Sequence, residues 1–361
     1  MMGGEPNQRR GIPSVVYYAE VPLSRAAVLE PAQSNPLPAQ GETDPTHGSP
    51  ANEPASSCLS KPANHTPVMR REVVEFLRPA PGQRFIDATV GLGGHASALL
   101  ERLVPGGWLL GLDRDSDALE LARKELAPFE GHFELVHGNF RDLAEHARRL
   151  GSAGADGVAM DLGMSSFQIE GATRGFSFHS DGDLDMRMDP SQGRTAAELL
   201  ARISAPDLER ILREYGEERY ARRIARAIVE RRRALRTPRD LATLVESVVP
   251  ARERRLHPAT RTFQGIRMAV NDELGALEAA LSALPRWLAP GGRVAVISFH
   301  SLEDRIVKQT LRAHAAAGNV TLVTRKPLRP SAAEVAANPR SRSARLRVAE
   351  RTARPQGGPS Q

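Results

Sequence analysis

The fold is decided in one stretch of the chain, which runs Arg84-Phe85-Ile86-Asp87-Ala88-Thr89-Val90-Gly91-Leu92-Gly93-Gly94-His95. Its first seven residues are mostly apolar and predict a buried strand. The glycines that follow predict a tight turn into a helix, which we expect over residues 96–103. A strand that turns directly into a helix is the opening unit of an α/β sheet.

The same alternation continues downstream. The pattern predicts strands at 108–113, 133–137 and 157–161, separated by helices at 117–126 and 141–150. Strands and helices that alternate at this length predict right-handed βαβ units and a parallel sheet covered on both faces.

After Asp161 the alternation stops, and residues 170–255 predict a loop followed only by helices. Apolar residues recur at helical spacing in three segments, 208–215, 220–228 and 237–250. We then expect one long helix over 259–284, a turn at Pro290-Gly291-Gly292, and strands at 293–299, 319–324 and 344–348. The sequence therefore predicts an α/β domain that is interrupted by a helical insertion and then resumes.

Composition limits the class of protein. The chain has 361 residues, 40% of them apolar, a net charge of +6 and a single cysteine, Cys58. One cysteine excludes a disulfide or a Cys-based zinc site within one chain, and we expect a reducing, cytoplasmic location. No stretch approaches 18 apolar residues and no signal peptide is expected, so we predict no membrane association. Residues 1–64 hold ten of the 27 prolines and predict a disordered leader.

Polar or glycine-rich turns follow four of the predicted strands. They are the turn around Gly93, the acid Asp113, the segment before Phe140, and Asp161 with the turn after it. Each has a plain structural alternative: a tight turn, a helix cap or a core ring. Together they lie at the edge where open α/β sheets bind ligands, and an acid such as Asp113 is typical of a ribose contact. The sequence therefore predicts a nucleoside-type cofactor.

The chain also resembles a known family. The resemblance is carried by His65-Thr66-Pro67-Val68, Gly91 to His95, Leu112-Asp113-Arg114-Asp115, Asp161 to Ser166, Arg174 to Phe178, Asp181 to Asp189, His257 to Gln264 and Ser298 to Arg305. In these motifs the chain is similar to the RsmH (older name MraW) family, the bacterial 16S rRNA cytosine-N4 methyltransferases. The family often has an aliphatic residue where Met164 stands and Pro where Phe167 stands.

The resemblance covers about residues 65–352 and carries several implications. It implies a class I, Rossmann-like methyltransferase domain formed by residues 65–169 and 256–352, an inserted helical domain at 170–255 and a disordered tail at 353–361. It implies methylation of the N4 amine of a decoding-centre cytidine in 16S rRNA, with the small ribosomal subunit as partner. It implies S-adenosylmethionine as cofactor, bound by Gly93, Gly94, His95, Asp113, Phe140, Asp161 and Gln168.

The chemistry of such a reaction suggests where the amine binds. Methyl transfer from a sulfonium is an in-line displacement that depends on alignment and electrostatics. Acceptors on the amine N–H groups localise its lone pair; the candidates are Asp161, or a backbone carbonyl of the Leu162-Gly163 turn, with Ser165 or Ser166 nearby. Methylation at C5 of cytosine needs a thiolate, and Cys58 in the leader is not positioned to supply one.

Two loop features are candidates for reading the substrate base. Phe176 and Phe178 stand out in a chain with only 4% aromatic residues, and they either face a base or pack between the two domains. The acids between Asp181 and Asp189 do not fit calcium spacing, and no His pair has zinc spacing, so we predict no metal. That loop is either held by hydrogen bonds to Arg187 or positions the substrate.

The insertion is strongly basic. Residues 210–239 contain eleven arginines and four glutamates. Arg222, Arg226 and Arg233 fall on one predicted helix and are candidates for phosphate contacts, with a solvated, Glu-paired face as the alternative. A second basic set lies near the C-terminus and consists of Arg325, Lys326, Arg329, Arg340, Arg342 and Arg345.

Two other functions compete with RNA methylation. One is amine methylation of DNA, but the Asp/Asn/Ser-Pro-Pro-aromatic motif of those enzymes is absent after the fourth strand, where Leu162-Gly163 stands. The other is a non-catalytic ribosome-assembly factor, against which the glycines and acids at four strand ends count. The sequence leaves open whether the protein forms a homodimer.

Overall fold

The structure is a computed structural model that describes residues 66–151, 154–165, 167–168, 174–250 and 257–353. The predicted leader, nearly all of the predicted tail, Cys58 and Ser166 lie outside these residues. Within the described part of the chain, no helix is long and apolar enough to cross a membrane.

A seven-stranded sheet forms the centre of the fold, in the order β3-β2-β1-β4-β5-β7-β6. β1 to β5 are mutually parallel, and β7 is antiparallel to both β5 and β6. The predicted α/β class with a Rossmann-like sheet is confirmed. The strands are β1 Arg84–Asp87, β2 Trp108–Asp113, β3 Phe133–His137, β4 Ala155–Asp161, β5 Leu288–Ser298, β6 Val320–Leu322 and β7 Arg345–Arg351.

Helices flank the sheet and also form the insertion. Those that flank the sheet are α1 Arg70–Leu77, α2 Gly94–Leu103, α3 Ser116–Leu126, α4 Leu143–His146, α10 Glu273–Ser282, α11 Leu284–Trp287, α12 Ser301–Ala316 and α13 Ala332–Ala337. Those that follow β4 and precede α10 are α5 Ala196–Arg202, α6 Ala205–Glu214, α7 Ala221–Arg231, α8 Pro238–Val248 and α9 Thr260–Asn271.

Successive strand residues are buried on opposite faces of the sheet, as the period of a strand requires. Phe85 packs with residues of α1 to α3 on one face, whereas the next residue, Ile86, packs with residues of α4 and α10 to α12 on the other. Because both faces are covered, ligands can approach only along an edge. The carboxyl ends of β1, β2, β4 and β5 meet at one such edge.

The insertion has an apolar core of its own. Leu208, Ile224 and Leu241, from α6, α7 and α8, belong to one buried cluster that also contains Phe176. These three helices match the segments predicted from helical spacing. Thr237 caps α8 through a reciprocal pair of hydrogen bonds with Asp240, and Pro238 occupies its first position.

One long helix predicted over 259–284 is wrong. Asp272 adopts a left-handed conformation, with φ 47°, and separates α9 from α10. The break redirects the apolar stripe, since Phe263 and Ile266 pack in the insertion cluster and Leu277 packs against the sheet. By packing, α9 therefore groups with the insertion, although residue 256 was the predicted boundary.

Two smaller predictions also differ from the structure. The helix expected at 141–150 is only the four-residue α4 between two 3-10 turns, Phe140–Asp142 and Ala147–Leu150. The turn expected at Pro290-Gly291-Gly292 lies inside β5, where the pairing with β4 shifts register between Ala155 and Gly157. Glycines fit such an irregularity because they tolerate close backbone approach; a Cβ on Gly292 would lie 2.8 Å from the carbonyl oxygen of Ala155.

Candidate active site

A pocket of about 370 Å³ opens at the carboxyl ends of the parallel strands. This is where the sequence predicted a ligand, because polar turns follow the strands there. It brings together seven of the predicted site residues: Gly94, His95, Asp113, Phe140, Asp161, Ser165 and Gln168.

The glycine-rich turn shapes the floor of the pocket. Gly93 has φ 86° and is the N-cap of α2, a conformation that side chains other than glycine rarely adopt. Gly94 lines the pocket, and a Cβ there would overlap the ring of Pro67. Gly93 does not itself line the pocket, so its role in the site is to form the turn.

Asp113 ends β2, and its two carboxylate oxygens are held by the backbone. Oδ2 accepts the N–H of Gly91 at 2.8 Å, and Oδ1 accepts the N–H of Asp115 at 2.9 Å. Burial raises the pKa of Asp113 to about 6, partly offset by these N–H donors. The carboxylate is thus fixed in the pocket wall and can accept hydroxyl hydrogen bonds.

A second acidic group was missed from the sequence. Asp87 ends β1 and is buried, and burial raises its pKa to about 6. Its Oδ2 has no hydrogen-bond partner among the described residues. The sequence signal for Asp87 is its position shortly before the glycine-rich turn. It carries little weight, because a single acid at the end of an apolar strand is common without any function.

His95 lies between the acids of β1 and β4. Its Nε2 is 3.5 Å from Oδ2 of Asp161, at the outer limit of a hydrogen bond. Burial disfavours the charged imidazole, yet the carboxylates of Asp161 and Asp87 raise the pKa of His95 above its usual value. Oδ1 of Asp161 has no partner in the described part of the chain, so it remains able to accept a hydrogen bond.

Gln168 and Ser165 hold the loop after β4. The backbone N–H of each donates to the side chain of the other, both at 3.2 Å. The amide nitrogen of Gln168 donates to Asp115 at 2.9 Å, and Arg174 also contacts Asp115 at 3.2 Å. Asp115 is fully buried, so this carboxylate links the loop, α3 and the start of the insertion.

The predicted base-facing aromatics pack inside the insertion. Phe176 is 7% exposed within its apolar cluster. Phe178 stacks on His257 at 4.5 Å between ring centroids and meets Phe263 edge-on. Neither ring lines the pocket. This geometry supports the packing alternative, and the two rings that Phe178 contacts, His257 and Phe263, lie beyond the predicted boundary at residue 256. Phe140 does line the pocket, and it also packs against the sheet cluster.

The acidic loop is held internally. Arg187 donates from Nε and Nη2 to the two oxygens of Asp185, at 2.8 and 2.9 Å. Burial opposes ionisation of Asp185, but the bonds from Arg187 lower its pKa. Asp189 accepts from Ser191 and lies 3.3 Å from Nε2 of His137. The loop thereby packs against the end of β3, and Arg187 holds its conformation through Asp185.

The arginines predicted to bind phosphate are exposed. Arg222 and Arg226 line an open depression of about 480 Å³ together with Pro206 and Glu209, and Arg233 lies beyond them. We call Arg222, Arg226 and Arg233 the arginine face. In the C-terminal basic set, Arg345 pairs with Asp304, whereas Arg340 lines the main pocket.

The remaining wall of the pocket comes from residues without a predicted role, chiefly Arg267, Phe299, His300 and Glu303. Arg267 donates from Nε and Nη2 to Glu273, both at 2.8 Å. Glu303 is buried and accepts the backbone N–H groups of Phe299 and His300. Burial opposes its ionisation, but His300 and Arg267 lower the pKa of Glu303. The segment from Ser298 to Arg305 carries the family resemblance, but the sequence alone assigned no role to its side chains.

Comparison with known proteins matches nearly the same part of the chain as the motifs that carry the family resemblance. A family model described as the MraW methylase family matches residues 62–352. The chain is 52% identical over 307 residues to the Ribosomal RNA small subunit methyltransferase H of Syntrophotalea carbinolica, covering 80% of this chain and 98% of that protein. It is 51% identical over 304 residues to the protein of that name from Symbiobacterium thermophilum, covering 79% and 96%. For Methylococcus capsulatus the values are 49% over 300 residues, 79% and 100%.

Proposed function

The chain belongs to the MraW methylase family, and from this membership we infer that it is an S-adenosylmethionine-dependent methyltransferase acting on 16S rRNA of the small ribosomal subunit. We further propose that the methylated atom is the exocyclic N4 of a decoding-centre cytidine, and that the reaction takes place in the cytoplasm. The observation that carries the proposal is Asp161: it lines the pocket at the end of β4 with an unpartnered carboxylate oxygen.

The residues of the pocket fit the cofactor. S-adenosylmethionine carries a sulfonium and an ammonium, and it supplies an electrophilic methyl group when bound. Asp113 lines the pocket and offers its carboxylate to the ribose hydroxyls. Asp87, buried at the end of β1 with an orphaned oxygen, adds negative charge near the cations. The first turn of α2, at Gly94 and His95, offers backbone N–H groups to a carboxylate. Phe140 at the end of β3 would contact the adenine.

The amine requires positioning rather than a strong base. A cytosine N4 is a poor nucleophile because its lone pair is conjugated into the ring. An N–H of the amine donated to Oδ1 of Asp161 would localise that lone pair and stabilise the positive charge that develops in the transition state. Thr89 fixes the start of this turn, since its Oγ1 accepts the backbone N–H of Asp161 at 2.7 Å. Nε2 of His95 lies 3.5 Å from the second oxygen of Asp161 and favours its ionised form when the imidazole is protonated.

The proposal is tested by following the methyl group. Small subunits that lack the modification are incubated with S-adenosylmethionine carrying a radiolabelled methyl, and the rRNA is digested and separated as nucleosides. We expect label in N4-methylcytidine from the wild type, a large loss for Asp161→Asn, and full activity for Asp181→Asn, whose side chain is 68% exposed at the surface. Label in another nucleoside would overturn the proposed atom, and no label in rRNA would overturn the substrate.

A further inference from the structure

The wall of the pocket beyond Asp161 contains hydrogen-bond donors that the proposed mechanism leaves unassigned. Pairing between β4 and β5 sets Asp161 opposite Ile297, so the residues just after β5 flank the turn after β4. Phe299 lies there, 3.6 Å from the position of a Cβ on Gly163. Phe140 and Asp113 follow β3 and β2 on the opposite side of β1. The β5 side of the pocket is therefore where an acceptor base has room.

His300 has a defined tautomer in this wall. Its Nδ1 accepts the N–H of Glu303 at 3.3 Å as the N-cap of α12. A neutral imidazole that accepts at Nδ1 carries its proton on Nε2. That Nε2 lies 3.1 Å from Oε1 of Glu303 but has no well-aligned hydrogen-bond partner among the described residues. His300 therefore holds a buried donor beside Glu303 that lacks a well-aligned partner in the described part of the chain.

Arg267 provides a second oriented donor. Its Nε and Nη2 are occupied by Glu273, and the side chain is only 11% exposed. A two-point pair of this kind fixes the plane of the guanidinium, and it leaves Nη1 outside the pair. Both Arg267 and His300 line the pocket, and both lie close enough to Glu303 to lower its pKa.

We propose that Arg267 and His300 are specificity-determining residues that donate to O2 and N3 of the target cytosine, while Asp161 accepts from its N4 amine. The inference rests on the proposed function. Along one edge cytosine presents a donor followed by two acceptors. Uracil has an acceptor in place of the amine, and adenine has a C–H where cytosine has O2. One acceptor and two donors in a pocket that reads this edge therefore select cytosine among the bases.

The test compares two conservative variants with a matched control. Arg267→Lys keeps the positive charge beside Glu273 but loses the several N–H donors of the planar guanidinium. His300→Asn keeps a side-chain acceptor at the N-cap of α12 but loses the Nε2 donor of the imidazole. Arg261→Lys makes the same change as the first variant at an exposed position of α9. Each protein is assayed for kcat/KM on small subunits that carry either cytosine or adenine at the target position. Melting temperature and S-adenosylmethionine affinity are measured alongside.

We expect each of the two variants to lose about 5- to 150-fold in kcat/KM on cytosine subunits, the range for one base-reading contact. Cofactor affinity should stay at the wild-type value, and Arg261→Lys should match the wild type. Arg267→Lys loses the two-point bond to Glu273, so its melting temperature falls, and kcat/KM is measured well below it. For the variant that loses the O2 contact, any measurable rate on adenine subunits should fall less, because O2 is already absent there; the variant that loses the N3 contact should fall on both. Wild-type kcat/KM in both variants, or a parallel loss of cofactor affinity, would overturn the inference. If the wild type itself methylates no cytosine, the proposed function fails instead.

Discussion

At the scale of single residues, the pocket concentrates acids whose ionisation is coupled to the cofactor. Burial raises the pKa of Asp87 and of Asp113 to about 6, and a bound cation would lower both values. Cofactor binding should therefore release protons near pH 6. The acids favour binding only when ionised, so affinity rises as the pH rises through 6 and levels off above about 7.

We predict that S-adenosylmethionine binds about tenfold more weakly at pH 5 than at pH 7.5 for each of these acids that must be ionised in the complex. Calorimetric titrations in two buffers of different ionisation enthalpy would measure the affinity and the proton release together. Asp87→Asn should flatten the pH dependence. An affinity that is independent of pH between 5 and 7.5 would contradict the assignment of these acids to the cofactor.

Asp113 should contribute to cofactor affinity. Replacing it with Ala removes a charged acceptor for the ribose hydroxyls, which we expect to cost roughly 1.5–3 kcal/mol of binding free energy. That is about one to two decades in Kd. The control is Glu120→Ala, an exposed acid on the neighbouring α3. Wild-type affinity in the Asp113 variant would remove this residue from the cofactor site.

Some site residues were predictable from the sequence and others were not. Asp113 and Asp161 follow recognisable strands, so the edge of the sheet brings them together. Arg267 and Glu303 gave no such signal, because each lies on a helix and only the fold brings α9 and α12 to the same pocket. Phe176 is the opposite case. Its position in a loop made it a candidate to face a base, but its ring belongs to an apolar core.

At the scale of elements, the insertion is anchored through buried polar contacts. Arg174 pairs with Asp115 at 3.2 Å and donates to the carbonyl of Met188 at 2.9 Å. Asn271, at the end of α9, bonds the backbone of Met186 and Met188. The break at Asp272 places Asn271 there, and no helical period could have predicted it, because both halves continue a plausible apolar stripe.

Asp115→Ala should destabilise the protein strongly. Asp115 is fully buried and its partner Arg174 is 14% exposed, so the variant leaves Arg174 only the more exposed Asp117 as an ionic partner, at a cost approaching about 3–5 kcal/mol. Asp181→Ala removes an ion pair with Arg239 whose members are 68% and 57% exposed, and it should cost less than about 1 kcal/mol. Urea denaturation measures both, and equal losses would show that the Asp115 contact does not anchor the insertion.

The arginine face should hold RNA without affecting the cofactor. Replacing Arg222, Arg226 and Arg233 with Ala removes up to three phosphate contacts. Each lost contact flattens the plot of log affinity against log salt by about 0.7 for a single strand. RNA affinity measured at several salt concentrations gives the slope, and S-adenosylmethionine affinity should be unchanged. An unchanged slope with unchanged RNA affinity would identify the face as merely solvated.

At the scale of the whole molecule, the charges are separated by task. The chain is net basic at +6, with exposed arginines on α7, whereas Asp113 and Asp161 line the pocket and Asp87 is buried at the end of β1. A basic exterior attracts a polyanion, and an acidic interior favours a cationic cofactor. The sequence already indicated the first property by composition. The acidic interior could not be predicted by composition, because it depends on the fold bringing three strand ends together.

The remaining prediction concerns the part of the chain that precedes the family match. The family model begins at residue 62, and the relatives match about 80% of this chain while being covered over 96% or more of their own length. These relatives therefore lack a counterpart of about a fifth of this chain. We expect deletion of residues 1–60 to leave melting temperature and methylation at wild-type values.

The control for this deletion is a cut only nine residues longer. Deleting residues 1–69 also removes Thr66, Pro67 and Val68, which line the pocket, and Met69, whose backbone N–H donates to Glu334 at 2.7 Å. The longer deletion opens one wall of the pocket and detaches α13 from it, so cofactor affinity should fall while the shorter deletion retains it. Calorimetric titration with S-adenosylmethionine and the radiolabel assay distinguish the two chains. Loss of methylation after the shorter deletion alone would mean that residues 1–60 take part in function, since the whole pocket wall is still present in that chain.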